Sequence, residues 1–370
     1  MSLWVYKSVI RYLISLASIF PFYIYKNYIM IFKRYVSYLI LLCIMIMNTD
    51  VNAQLETHLA KKMTSECIQP PYLKKGDTVA IVAPSGILKS REGEVQQAVA
   101  LLKSWGLHAV IGKNVFKQGH HFAGTDDERC EDLQKAMDDP KISAIWCARG
   151  GYGTVRILDK LDYTTFKKNP KWVIGYSDIT ALHNQLHNEG IQSLHALMCV
   201  SLTNDLSKIS ETVETFKAAL FGNPFNYTLK GSDYNRVGET SGALIGGNLT
   251  ILHTMLGSKE SLDTNGKILF IEEIGEYKYH IDRMLQSMKR AGYFDNLNGL
   301  VVGDMSKLRK NTTLWGSSIE QLILDALSDY DFPIAFHMPA GHEKDNRALV
   351  LGRKVELKVG KGQSTLKFVD

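Results

Sequence analysis

Three residues far apart in the chain, Ser177, Glu272 and His342, could together carry out acyl transfer. Each lies just after an apolar run suited to a buried strand. Ser177 follows Trp172-Val173-Ile174-Gly175-Tyr176 and precedes a helical segment that begins at Asp178-Ile179-Thr180. A serine between strand and helix can hold its hydroxyl exposed, with backbone N–H groups beside it. A nucleophile and part of an oxyanion hole need that arrangement. The same position also suits a plain helix N-cap, because Ser and Asp are favoured there. Glu272-Glu273 follow the run Lys267–Ile271, and Gly341-His342-Glu343 follows Pro333–His337. Taken singly, an acid or a histidine after a strand is ordinary surface. Taken together, the three types are a nucleophile, a base and a carboxylate to orient the base. Residue types alone do not choose between Glu272 and Glu273.

Other groupings carry less. Arg149-Gly150-Gly151-Tyr152-Gly153 also joins a strand to a helical segment, and its glycines let backbone N–H groups approach a ligand. It is neither a Walker A loop nor a G-x-G-x-x-G turn, and on its own it could be a simple tight turn. Arg149 could grip a carboxylate in a fork or be a surface charge. His183-Asn184-Gln185-Leu186-His187 imitates a zinc-protease helix, but Asn184 stands where the general base is needed, so zinc is not expected. His120-His121 has no ligand spacing. Cys67, Cys130, Cys147 and Cys199 show no C-x-x-C spacing, and Cys147 and Cys199, in apolar segments, suit small buried hydrophobes rather than metal ligands.

These residues need rigid elements to hold them. Thr78–Ala83, His108–Ile111, Ile142–Cys147 and Trp172–Ile174 predict strands. Glu92–Trp105, Asp126–Met137 and Tyr152–Leu161 predict helices between them. Alternation of this kind predicts a parallel sheet covered on both faces, with ligands beyond the carboxyl ends of its strands. From about residue 205 the rhythm changes, and residues 222–240 look like a crossing between domains. Gly242–Leu249 should open a helix. Further strands are predicted at Lys267–Ile271, Gly299–Val302 and Pro333–His337, with helices at His280–Ala291 and Ile319–Ser328 and a β-rich tail over Ala348–Val369. The fold class is α/β throughout.

The chain has 370 residues and a net charge of +5. Residues 1–53 hold five basic residues against Asp50, so the remainder is near neutral. No concentrated basic patch is left for nucleic acid. Lys33-Arg34, an apolar run from Tyr35 to Met47, and Val51-Asn52-Ala53 form a secretory leader pattern cleaved after Ala53. This predicts an exported, periplasmic protein, with translation starting at Met30. A membrane anchor, or a cytoplasmic protein whose start is set too early, is the alternative. Residues 54–71 should be a tether.

Several motifs share one order. They are Gly76-Asp77-Thr78-Val79-Ala80-Ile81-Val82-Ala83-Pro84-Ser85, Phe122-Ala123-Gly124-Thr125-Asp126, Ala148–Gly153 and Ile174–Thr180, then Gly246-Gly247-Asn248-Leu249, Phe270-Ile271-Glu272-Glu273 and Pro339-Ala340-Gly341-His342. With these motifs, Leu73–Val359 resembles the LD-carboxypeptidase family, which includes murein tetrapeptide carboxypeptidases and microcin C immunity peptidases. The resemblance implies an N-terminal domain (72–225) like class I glutamine amidotransferases and a swivelling C-terminal β/α domain (236–370). It implies Ser177 as nucleophile, Glu272 as orienting carboxylate and His342 as base. Gly151 and Asp178 would supply oxyanion N–H groups, and Arg149 and Asn248 would contact substrate. Neither metal nor cofactor is implied. The partner would be a murein-derived peptide, with a homodimer also open. Release of terminal D-alanine is the expected reaction, an amidase acting on a peptide–nucleotide the second reading and a non-catalytic wall-peptide binder the third. His195-Ala196-Leu197-Met198 departs from the family's His-Gly-Pro-Met. Ser177→Ala should remove nearly all activity, and His183→Ala should leave most of it.

Overall fold

A computed structural model describes residues 66–369, together with the isolated position Arg11. The proposed leader, and residues 54–65 of the proposed tether, lie outside the described residues.

The first half contains β1 (Thr78–Val82), α1 (Glu92–Ser104), β2 (His108–Ile111), α2 (Asp126–Asp138), β3 (Ile142–Cys147), α3 (Thr164–Lys168), β4 (Trp172–Gly175), α4 (Thr180–Asn188), β5 (Ser193–His195) and α5 (Ser210–Phe221). The second half contains β6 (Asn226–Lys230), β7 (Gly238–Asn248), α6 (Leu249–Thr254), β8 (Ile268–Ile274), α7 (Lys278–Arg290), β9 (Gly299–Ser306), α8 (Ile319–Ala326), β10 (Ile334–Ala335), β11 (Leu349–Leu351), β12 (Lys354–Val359) and β13 (Gln363–Phe368).

One sheet has the order β11-β5-β4-β3-β1-β2, and its first five strands in the chain run parallel. Its central strands β1, β3 and β4 are apolar on both faces because helices cover both. Val79, Ile81, Trp146 and Ile174 pack with α1 and α5, while Ala80, Val82, Ile145 and Val173 pack with α2 and α4. Thr125 and Glu128 form a reciprocal capping box at the start of α2. The second sheet has the order β10-β9-β8-β7-β12-β13-β6, parallel from β10 to β7 and antiparallel beyond.

Four expectations need correction. Gly242–Leu249 does not open a helix. β7 continues to Asn248, and Gly246 and Gly247, both at positive φ, carry it past close neighbours. A Cβ on Gly247 would lie 2.4 Å from Thr180 Oγ1, so only glycine lets the two halves meet there. Tyr152–Leu161 is not one helix but two 3-10 turns, 154–156 and 158–160, whose start is pinned by hydrogen bonds from Thr154 to Asp178. Residues 66–71 are docked, not a free tether. Ile68 bridges Ile191, and the Trp172 indole N–H donates to Pro71 O at 3.0 Å. Finally, the halves do not divide cleanly near residues 225–236. β6 lies in the second sheet, and β11 returns to the first, pairing antiparallel with β5 in the register Leu349↔His195. Two residues after β11, β12 enters the second sheet. Among the described residues no helix is long and apolar enough to cross a membrane.

Candidate active site

Ser177 sits just beyond the carboxyl end of β4, as the first residue of a 3-10 turn that runs into α4. Its φ is +62°, a left-handed value that costs a serine about 1–3 kcal/mol. The bend puts the side chain beside the start of α4, where unpaired N–H groups and the helix dipole favour negative charge. Ser177 is not a helix cap, and neither is Asp178, whose carboxylate is held by Ser85 and Thr154. The Arg149–Gly153 turn packs directly against the serine. A Cβ on Gly150 would stand 3.0 Å from Ser177 Cβ and 3.2 Å from Oγ.

His342 reaches this serine from the loop between β10 and β11. Its Nε2 lies 3.0 Å from Ser177 Oγ, and its Nδ1 lies 2.6 Å from Glu272 Oε2. A carboxylate on Nδ1 keeps that nitrogen protonated and leaves Nε2 as the acceptor. Burial lowers the His342 pKa. The Glu272 hydrogen bond, with the charges of Glu272, Glu273 and Asp304, more than offsets burial, so the net value lies above 6.5. Glu272 is wholly buried. It lies within β8, not after it, where the pairing with β9 shifts register between Ile271 and Glu273. Such a bulge re-aims a side chain next to a site.

Glu273 faces elsewhere. It accepts from Thr250 N at 2.8 Å, Thr250 Oγ1 at 2.7 Å and Ile274 N at 2.8 Å. The strand therefore separates the two acids that the sequence left open. Glu276 pairs with His280 at 2.5 Å.

The remaining candidates fall in varied places. Gly151 lies on the turn against Ser177, and Asp178 is the next residue after it. Arg149 is half-buried, and its guanidinium donates to Ile87 O. Asn248 is buried as the N-cap of α6, accepting from Ile251 N at 3.2 Å, while its amide donates to Glu273 Oε1 at 3.2 Å. His183 and His187 share a helix but serve different neighbours. His183 joins Gly175 O and Ser193 Oγ at 2.9 and 2.8 Å, and His187 Nδ1 meets Cys67 Sγ at 3.4 Å. Burial pushes both imidazoles down to about 4. Cys67, Cys130, Cys147 and Cys199 are all unpaired. The segment His195–Met198 that departs from the family pattern is buried, with the His195 ring between Tyr176 and Phe270.

Two neighbours escaped the sequence reading. The Tyr176 ring meets His342 edge-on, 5.0 Å between centroids. Asp304 accepts from Glu343 N at 3.1 Å, and burial raises its carboxyl to about 6. An acid near a strand end is the available signal for Asp304, but the apolar run stops at Val302 while β9 continues to Ser306.

This arrangement has a hydroxyl facing an imidazole that is braced by a buried carboxylate. It can generate a serine nucleophile and hand the proton onward. Residues 79–196 match the LD-carboxypeptidase N-terminal domain, and residues 241–357 match the LD-carboxypeptidase C-terminal domain. A probable murein peptide carboxypeptidase of Bacillus subtilis is 34% identical over 78% of this chain and 91% of that protein. The crystal structure of muramoyltetrapeptide carboxypeptidase from Oxalobacter formigenes superposes with a TM-score of 0.72 at 29% identity, covering 79% of this chain and 99% of that one. That of an MccF-like protein from Bacillus anthracis gives 0.71 at 25% identity, over 82% and 99%. The chain belongs to the LD-carboxypeptidase family of peptidases.

Proposed function

We propose that the protein is a serine-type carboxypeptidase that cleaves an L,D-peptide bond and releases the terminal D-alanine of a murein tetrapeptide. The observation that carries this reading is the continuous hydrogen-bonded series Ser177–His342–Glu272. Ser177 Oγ attacks the scissile carbonyl while His342 Nε2 takes its proton. Glu272 holds the imidazole in the required tautomer and stabilises the imidazolium. The N–H groups of Gly151 and Asp178 receive the oxyanion. His342 then returns the proton to the leaving amine, and water, activated by the same base, hydrolyses the acyl-enzyme.

The named activities of the Bacillus subtilis and Oxalobacter formigenes proteins support the murein substrate. Full-length protein should release D-alanine from an L,D-tetrapeptide and not from its D,D counterpart. Loss of that release in Ser177→Ala completes the test, and turnover by Ser177→Ala at the wild-type rate would sink the assignment. The likeness to an MccF-like protein favours a second reading, an amidase acting on a peptide–nucleotide. Direct comparison of tetrapeptide and aminoacyl-sulfamoyl nucleotide turnover separates the two. Export is part of the proposal, and N-terminal sequencing of the mature protein tests cleavage after Ala53.

A further inference from the structure

Ser85 closes the motif Gly76–Ser85 in the sequence, yet it contributes nothing to the series Ser177–His342–Glu272. Ser85 is wholly buried beyond the end of β1. Its Oγ lies 2.6 Å from Asp178 Oδ2 and 2.7 Å from Thr154 Oγ1. The same Asp178 oxygen accepts from Thr154 N at 2.8 Å and from Thr154 Oγ1 at 2.7 Å. Thr154 and Asp178 are also buried, at 0% and 1% exposure. The turns that follow β1, β3 and β4 therefore converge on one carboxylate oxygen. Hydrogen bonds to a carboxylate away from water are short and strong, which makes the junction stiff.

A second tie runs in parallel. Gly86 N donates to Gly150 O at 3.0 Å. In a planar trans peptide the carbonyl and the following N–H point in opposite directions. Fixing Gly150 O on Gly86 therefore turns Gly151 N–H to the other side. Gly150 itself packs on Ser177. Thr154 is three residues from Gly151, and Asp178 carries the other oxyanion N–H in its own backbone.

We propose that Ser85, Thr154 and the Asp178 carboxylate form a buried frame that fixes the spacing and direction of the Gly151 and Asp178 N–H groups for a tetrahedral oxyanion. The inference rests on the serine-peptidase reading. Ser85 and Thr154 are positioning residues, because neither touches the reacting atoms. Small misplacement of oxyanion donors is enough to slow acyl transfer, since their benefit depends on preorganised geometry.

Thr154→Val keeps the shape and removes the hydroxyl, Thr154→Ser keeps the hydroxyl, and Ser85→Ala breaks the frame from the other side. The readouts are the rate of Ser177 labelling by a fluorophosphonate and the affinity for a peptide boronate relative to that for the product peptide. Thr154→Val and Ser85→Ala should label roughly 10- to 100-fold more slowly and lose boronate affinity by a similar factor, with product affinity within about twofold of wild type. Thr154→Ser should restore labelling to within about threefold of wild type. A purely structural role would lower melting temperature and leave labelling of the folded fraction unchanged, and that result overturns the frame. Ser85→Ala removes one oxygen without adding bulk, so it provides the reading if Thr154→Val does not fold. Failure of the serine-peptidase reading looks different, because wild-type protein itself would then resist labelling at Ser177.

Discussion

Glu272 and Glu273 are consecutive residues of one buried strand, and they act on opposite sides of it. Glu272 reaches His342 across 2.6 Å, while Glu273 accepts from the N–H and hydroxyl of Thr250 at the start of α6 and from Ile274 N–H on its own strand. Glu272→Gln should lower kcat by roughly 10²–10⁴-fold with little change in melting temperature, as when an orienting carboxylate is lost. Glu273→Gln should keep activity and cost about 1–3 kcal/mol of stability, because an amide cannot accept all those donors. Paired kinetics and thermal melts of the two variants check this. Equal kinetic losses would refute the division of labour.

The left-handed backbone at Ser177 predicts that two inactive variants differ in stability. Ser177→Ala keeps the strain, whereas Ser177→Gly removes it. Glycine should therefore be the more stable of the two by about 1 kcal/mol, the reverse of the usual order. Denaturant melts read the difference directly.

His342 is raised above 6.5 in the fold by its carboxylate neighbours, against the effect of burial. A base must be neutral to accept a proton, so kcat/KM should fall on the acid side with a midpoint above 6.5. Glu272→Gln removes the main raising influence, and the midpoint should move to lower pH. The sign for stability is opposite. Protonated His342 favours the fold, so its contribution is present below 6.5 and is lost as pH rises through the folded value.

Asp304 offers a related test. Its carboxyl is raised to about 6 by burial, so ionisation opposes the fold as pH climbs from 3.8 through 6. Asp304→Asn should stabilise the protein at pH 8 by about 1 kcal/mol, a value discounted for the group's partial exposure, and have little effect at pH 4. It should also move the acid limb of activity slightly downward, because Asp304 helps to raise His342.

His183→Ala should leave most activity, but its surroundings give it a cost in stability. The imidazole braces Gly175 O and Ser193 Oγ beneath the nucleophile turn, and all three residues are buried. Its removal strands two polar groups and should cost about 2–4 kcal/mol. Activity per folded molecule should survive, which active-site titration with a fluorophosphonate can measure.

Much of the first sheet was legible because its central strands are buried on both faces and therefore read as unbroken apolar runs, as in Val79–Ala83 and Trp172–Ile174. Site residues were legible as polar types at the ends of such runs. What escaped depends on contacts between distant segments. Gly246 and Gly247 look like helix-opening residues until the Phe270 backbone is seen against the first and Thr180 against the second. Asp178 looks like a cap until Ser85 and Thr154 claim its carboxylate. The choice of Glu272 turns on a bulge, and local sequence carries no mark of where pairing slips.

The return of β11 to the first sheet has a consequence in time. Chains are made from the N-terminus, yet the edge partner of β5 appears about 150 residues after His195. At roughly 5–20 residues per second, that is a delay on the order of ten to thirty seconds. Through this interval the growing polypeptide already contains Ser177 but has neither β11 nor His342. The exposed edge of β5 is then open to mispairing. Under the proposed mechanism, a chain cut short of His342 would hold Ser177 without a base, and such a truncated chain should not hydrolyse peptide.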